Sequence, residues 1–234
     1  MRLRQIDESR YVTVNNKLNP AIWDHDALKP DVAAALKKIA AHWEEFIGVD
    51  LDAIDLTITG SNANYTWTSQ SDLDLHVIVR GEPTEEQREL YNAKKDLWAA
   101  QHEVTVKGLP VEVYVQGVSE PHHSTGVYSL AKNKWLVEPK KVKPDVDDAA
   151  VQAKLQDLQS LVQRALTNSD LNQVNAVRKR VTQMRKAGLE RAGEWSVENI
   201  VFKQLRNAGL IDSITQHIRD LEDQELSIDE QSLD

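Results

Sequence analysis

Thr57-Ile-Thr-Gly-Ser-Asn-Ala-Asn-Tyr-Thr-Trp-Thr-Ser-Gln-Ser-Asp-Leu-Asp-Leu-His-Val-Ile-Val79 reads as two strands separated by a turn-rich link. The β-branched run Ile54–Thr59 ends at Gly60-Ser61 and ten residues intervene. The strand Asp72–Val79 then alternates Asp72, Asp74, His76 and Ile78 on one face with Leu73, Leu75, Val77 and Val79 on the other. Asp72 and Asp74 therefore project from one face about 7 Å apart, close enough to share hard cations. Two bare carboxylates that near repel each other, and Mg²⁺ is their ordinary counter-charge. Gly60 lets the backbone approach a ligand without a Cβ, while the Ser61 hydroxyl and the N–H groups after it suit phosphate oxygens. Ser71, next to the acids, is counted with Gly60 and Ser61 as substrate-binding. His76 reads first as a packed strand residue, with a supporting role behind the aspartates as the alternative.

A third acid is expected on a neighbouring strand, and Leu109-Pro-Val-Glu-Val-Tyr-Val-Gln116 supplies Glu112. Val111, Val113 and Val115 take one face; Glu112, Tyr114 and Gln116 take the other. An acid inside a strand made for burial is costly unless paired or metal-bound, and a three-carboxylate metal site at Asp72, Asp74 and Glu112 accounts for it. The plainer alternative is that Asp72 and Asp74 only begin an edge strand behind a Ser-Asp turn.

Outward from this centre, residues 1–28 are irregular and polar and read as a surface wrapping. Val32, Leu36, Ile39, Trp43 and Phe46 recur at the helical period between Pro30 and Ile47, with Gly48 as the stop. Thr84 and Gln87 form a capping pair for a helix to about Ala100, and His102–Lys107 and Pro110–Gln116 form a hairpin through Gly108. One further short strand is expected within Val127–Val137. Pro139 to Asp148 reads as a linker, followed by helices over 147–166, 171–188, 196–208 and 210–222 and a fraying acidic end. The adjacent His122-His123 read as solvated loop residues, and Tyr65 and Trp67 as core packing or as a platform for a base.

Composition narrows the function classes. The 234 residues carry a net charge of −9, with 41% hydrophobic and 28% charged residues, an ordinary globular balance. With no cysteine, disulfides, Cys-ligated zinc, iron–sulfur clusters and thiol catalysis are excluded. No run of 18 apolar residues and no signal-peptide core is present, so neither a membrane span nor export is expected and the address is cytoplasmic. Charge is uneven: Val174–Arg206 holds eight bases against three acids, and Asn207–Asp234 one base against eight acids. The net acidity argues against tracking long double-stranded DNA.

Gly60-Ser61, the ten-residue gap, Asp72-Leu73-Asp74-Leu75 and the later strand acid Glu112 resemble the signature of the DNA polymerase β-like nucleotidyltransferase superfamily. The resemblance covers residues 54–116. It implies an α+β fold, with a small mixed β-sheet nucleotidyltransferase core flanked by an N-terminal helix and followed by a C-terminal helical bundle. On that basis residues 1–140 form the catalytic domain, with an N-terminal extension over 1–29, residues 145–222 the helical domain, and 223–234 a flexible acidic tail. Asn62-Ala63-Asn64-Tyr65, Gly126-Val-Tyr-Ser-Leu130, Lys134-Trp135 and Gly193-Glu-Trp-Ser-Val-Glu-Asn-Ile-Val-Phe-Lys203 are similar to uncharacterised stand-alone members carried by tailed bacteriophages.

The resemblance further implies transfer of an NMP from an NTP to an acceptor hydroxyl with loss of pyrophosphate, using two divalent ions, Mg²⁺ or Mn²⁺, on Asp72, Asp74 and Glu112. ATP is the default donor. Ser61 would grip the terminal phosphates, and Lys203, among apolar neighbours in the basic stretch, would offer a cation. Asn64-Tyr65 stands where small toxin–antitoxin members usually carry Arg-Gly, which weakens a protein-modifying reading. A small molecule, a nucleotide or a short RNA end is the expected acceptor. The alternative is a catalytically inactive nucleotidyltransferase-like module that binds a nucleotide or a partner.

Overall fold

A computed structural model describes residues 13–122, 124–141 and 146–227, which fall into two compact units divided at residues 143/144. The stretch up to residue 12, His123, linker residues 142–145 and acidic residues 228–234 lie outside the described residues.

The first unit opens with paired two-residue strands, β1 (Trp23–Asp24) and β2 (Ala27–Leu28), followed by helix α1 (Pro30–Ile47). Its periodic residues Val32, Leu36, Trp43 and Ile47 are buried, as the spacing requires. The strands that follow are β3 (Ala53–Thr59) and β4 (Leu73–Val79), then helix α2 (Glu85–Gln101). Thr84 and Gln87 close a reciprocal capping box on α2, as the sequence predicts. Strands β5 (Thr105–Val106), β6 (Leu109–Gly117), β7 (Val127–Ser129) and β8 (Lys134–Val137) complete a mixed sheet of order β5-β6-β4-β3-β7-β8. Among the described residues only β4 and β6 pair in parallel, because α2 lies between them in sequence and carries the chain back. The single strand expected in Val127–Val137 is in fact a hairpin of β7 and β8.

Residues before α1 depart from the surface reading. Leu18, Ile22, Trp23 and Leu28 are buried in the sheet's core. The Trp23 ring stacks on Trp135 at 4.7 Å and meets Tyr128 edge-on at 5.0 Å. These apolar residues sit in turns and two-residue strands, so they carry no period that a sequence scan can register.

The second unit holds helices α3 (Asp148–Ala165), α4 (Leu171–Ala192), α5 (Val197–Asn207) and α6 (Leu210–Leu226), around Val151, Leu155, Val162, Val174, Val201, Leu205 and Ile214. Asp147, Asp170 and Ser196 cap α3, α4 and α5 through their side-chain oxygens. Helix α4 runs through Gly188, where the sequence predicts a break. A Cβ there would lie 2.5 Å from Glu198 Cβ and 2.9 Å from Ser196 Oγ, so the glycine is a packing position under α5. Helix α6 likewise continues past residue 222 to Leu226, into the span expected to be tail.

In the first turn of α5 sits Glu198, a buried acid held by Lys154 at 2.5 Å and Arg191 at 2.7 Å. Burial pushes its carboxyl up, but hydrogen bonds from Lys154, its own backbone N–H and Arg191 outweigh that and hold it below the usual 4.5. A lowered folded value contributes stability above the unfolded value, and that contribution is lost as pH falls through the folded one. The thermal midpoint of this unit should therefore drop as pH is lowered below about 4.5, and drop less in Glu198→Gln. Equal pH dependence in the two proteins would count against the ion-paired carboxylate as its source.

Candidate active site

Three strands bring the predicted acids to one face. Antiparallel pairing sets Thr59 opposite Asp74, and parallel pairing sets Asp74 opposite Glu112 and His76 opposite Tyr114. Residues paired across neighbouring strands share a face, so Asp74 stands between the Thr59-Gly60 corner and Glu112. Asp72 precedes the first paired residue of β4 on the same side.

Gly60 holds φ +71° and ψ −161°, a conformation open to glycine alone. A methyl group there would overlap the Asp74 carboxylate oxygen and lie 2.9 Å from Asp74 Cγ. Backbone and carboxylate are thus in immediate contact, the close approach that Gly60 is expected to provide. Its N–H donates to Ser124 Oγ at 3.0 Å. Ser61 opens a 3₁₀ turn, Ser61–Ala63, and is partly exposed.

Asn62 organises the link between these points, and sequence reasoning passes over it. Fully buried, it donates from Nδ2 to the carbonyls of Ser71 (3.3 Å) and Asp72 (2.7 Å). Its Oδ1 accepts from Asn19 Nδ2 at 2.7 Å, and its own carbonyl accepts from Trp23 Nε1 at 2.7 Å. The segment before α1 fastens the same link further along: Asn15 Nδ2 donates to the Trp67 carbonyl at 2.6 Å, and Trp67 Nε1 to the Lys17 carbonyl at 2.9 Å. Trp67 and Tyr65 are thereby engaged in packing. Ser71 is buried and its hydroxyl accepts from the Thr68 N–H at 2.9 Å. Asn62→Ala would leave several buried polar groups without partners and should lower unfolding free energy by about 2–3 kcal/mol in urea titration. A loss within about 0.5 kcal/mol would mean that the link does not depend on this side chain.

Glu112 is held from the other side. Lys95 of α2 donates to its Oε2 at 3.1 Å, and the Tyr114 hydroxyl donates to the same oxygen. Lys95 also lies 3.8 Å from the Tyr114 ring centroid. Burial and then the charges of Glu112, Asp74 and Asp72 push the Tyr114 phenol far up, so it remains a protonated donor. The His76 ring stacks on Tyr114 at 4.9 Å. Burial lowers the imidazole to about 4, helped by the positive charges of His122 and Lys95 and opposed by the Gln116 hydrogen bond. Neutral His76 donates from Nδ1 to Gln116 Oε1 (2.7 Å) and accepts at Nε2 from the Thr59 hydroxyl (3.1 Å). It is a packed strand residue that braces the face.

The acids suit a hard divalent ion in chemistry and strand position. Among the described residues, however, no three His, Asp or Glu side chains are gathered closely enough to cage one. Lys203 belongs to the other unit, on α5, where it pairs with Glu194 at 3.2 Å. Other bases of its stretch are also engaged there: Arg185 lies over the Phe202 ring at 4.4 Å, Arg191 holds Glu198, and Arg178 donates to Thr215 at 3.0 Å. Lys179, Arg180 and Lys186 are exposed, as a solvated helix face predicts.

A mixed sheet with acids on adjacent strands, beside a glycine-serine corner, defines an α+β protein. The chain belongs to the nucleotidyltransferase domain family, whose match spans residues 36–164, more than half of its length. No curated protein matches it. Among solved structures, the STING-associated CdnE c-di-GMP synthase from Capnocytophaga granulosa is similar, with 10% identity over 87% of this chain and 84% of that one and a TM-score of 0.23. The spectinomycin adenyltransferase AAD(9) from Enterococcus faecialis, solved with ATP and spectinomycin, has 13% identity over 82% and 98% and a TM-score of 0.24. No helix among the described residues is long and apolar enough to cross a membrane.

Proposed function

We propose that this protein moves a nucleotidyl group from an NTP, ATP by default, to the hydroxyl of a compact acceptor at the face shared by Asp72, Asp74 and Glu112. The observation that carries the reading is the parallel pairing of Asp74 with Glu112, with the Gly60 backbone against the Asp74 carboxylate. In the reaction a bond forms between the acceptor oxygen and the α-phosphorus, the α–β anhydride breaks, and pyrophosphate leaves. Asp72, Asp74 and Glu112 would hold Mg²⁺ or Mn²⁺, which when bound neutralises phosphate charge and acidifies the acceptor hydroxyl. Glu112 would be ligand or proton acceptor. Gly60 admits the phosphates close to the backbone, and the Ser61 hydroxyl, partly exposed at the start of its turn, donates to them. In this reading Ser71 acts through its carbonyl, which with that of Asp72 anchors the link on Asn62.

The second reading is nucleotide binding without turnover. Pyrophosphate release from each common NTP with Mg²⁺ or Mn²⁺, with and without small RNA, separates the two. Release that needs both metal and Asp74 supports transfer. NTP binding without release in any condition supports the binding module.

A further inference from the structure

Lys95 is absent from every motif in the sequence, yet it is bonded to one of the three acids. Its ammonium touches Glu112 Oε2 and the Tyr114 ring together, and the Tyr114 hydroxyl donates to the same oxygen. The ring itself is fixed. His76 stacks on it at 4.9 Å, and His76 is pinned by Gln116 and Thr59. Against that rigid shelf the adjustable partners are the Glu112 carboxylate, 39% exposed, and the Lys95 stem. The ring face attracts an ammonium independently of the carboxylate, so Lys95 can release Glu112 and stay seated on Tyr114.

We propose, resting on the nucleotidyl-transfer reading above, that Lys95 is a positioning residue: the resident counter-ion of Glu112, which holds that carboxylate out of the metal position until a divalent cation displaces it. Strand register brings Glu112 level with Asp74, while the Lys95–Glu112 pair opposes the gathering of the three acids into a cage. A single positive charge beside three carboxylates relieves part of their mutual repulsion, and a divalent ion relieves more. The two cations therefore compete for Glu112. The Tyr114 hydroxyl donates to Oε2 independently of Lys95, so one bond to the carboxylate persists after Lys95 leaves.

Competition has a sign that damage to the fold does not share. Mn²⁺ binding without nucleotide, followed by the electron paramagnetic resonance of free Mn²⁺ at constant ionic strength, should be about tenfold tighter in Lys95→Met than in wild type, because a repelling charge is removed. Lys95→Gln should change in the same direction, which guards against a folding fault in either variant. Lys95→Arg keeps the charge and should bind as wild type does. Asp74→Asn should weaken binding in each background. Asp74-dependent binding that Met and Gln at position 95 leave unchanged or weaken overturns the role of Lys95 alone. Absence of Mn²⁺ binding in wild type overturns both this inference and the reading on which it rests.

Discussion

Asp74→Asn should abolish metal-dependent pyrophosphate release, by about 10³-fold or more, while the protein stays folded with its thermal midpoint unchanged or slightly raised. Asp74 is the middle acid of the face, with the Gly60 backbone against its carboxylate and Glu112 beside it in register. The amide keeps the shape that packs against Gly60 and removes one of three like charges, which sheds some of their repulsion. Rates of wild type and variant at saturating NTP and metal, alongside thermal melts, test this. A variant retaining more than about a tenth of wild-type turnover would remove Asp74 from the centre of the reaction.

Gly60→Ala should be strongly damaging to the first unit. The position requires positive φ with extended ψ, which costs an alanine about 1–3 kcal/mol, and the new Cβ would overlap the Asp74 carboxylate. The Gly60 N–H is tied to Ser124 and the Asp74 backbone lies inside a strand paired on both sides, so the Asp74 carboxylate must turn aside to make room. Displacing Asp74 by about 1 Å should cost roughly 10²-fold in turnover beyond the loss of stability. Measuring turnover well below the melting temperature separates the two effects. Turnover close to wild type in a folded Gly60→Ala would mean that the position of Asp74 is not critical.

Much of this architecture follows from local rules. Pro30 and Gly48 bracket α1 because proline suits a first turn and glycine a left-handed stop, and Thr84 with Gln87 starts α2 because the two satisfy each other's backbone. Alternation along a strand likewise places Asp72 and Asp74 on one face before any fold is known. Where local rules fail, a contact from afar has intervened. Gly188 reads as a stop, yet α4 continues because the missing side chain makes room for Glu198. The segment before α1 has no period, yet Trp23 and Ile22 are core because other elements close over them.

By itself, then, the sequence determined most of the helices and the central strands, the face on which Asp72 and Asp74 lie and the glycine-serine corner, since each depends on residues within a few positions of one another, and the spacing of these with Glu112 carried the resemblance to the family. Tertiary structure alone decided that Asp74 pairs with Glu112, that Asn62 and Asn19 fasten the link between Gly60 and Asp72, and that Lys95 and Tyr114 hold Glu112. Strand register and charge pairing are set by groups far apart in the chain, where no local period or propensity records which partner each will meet.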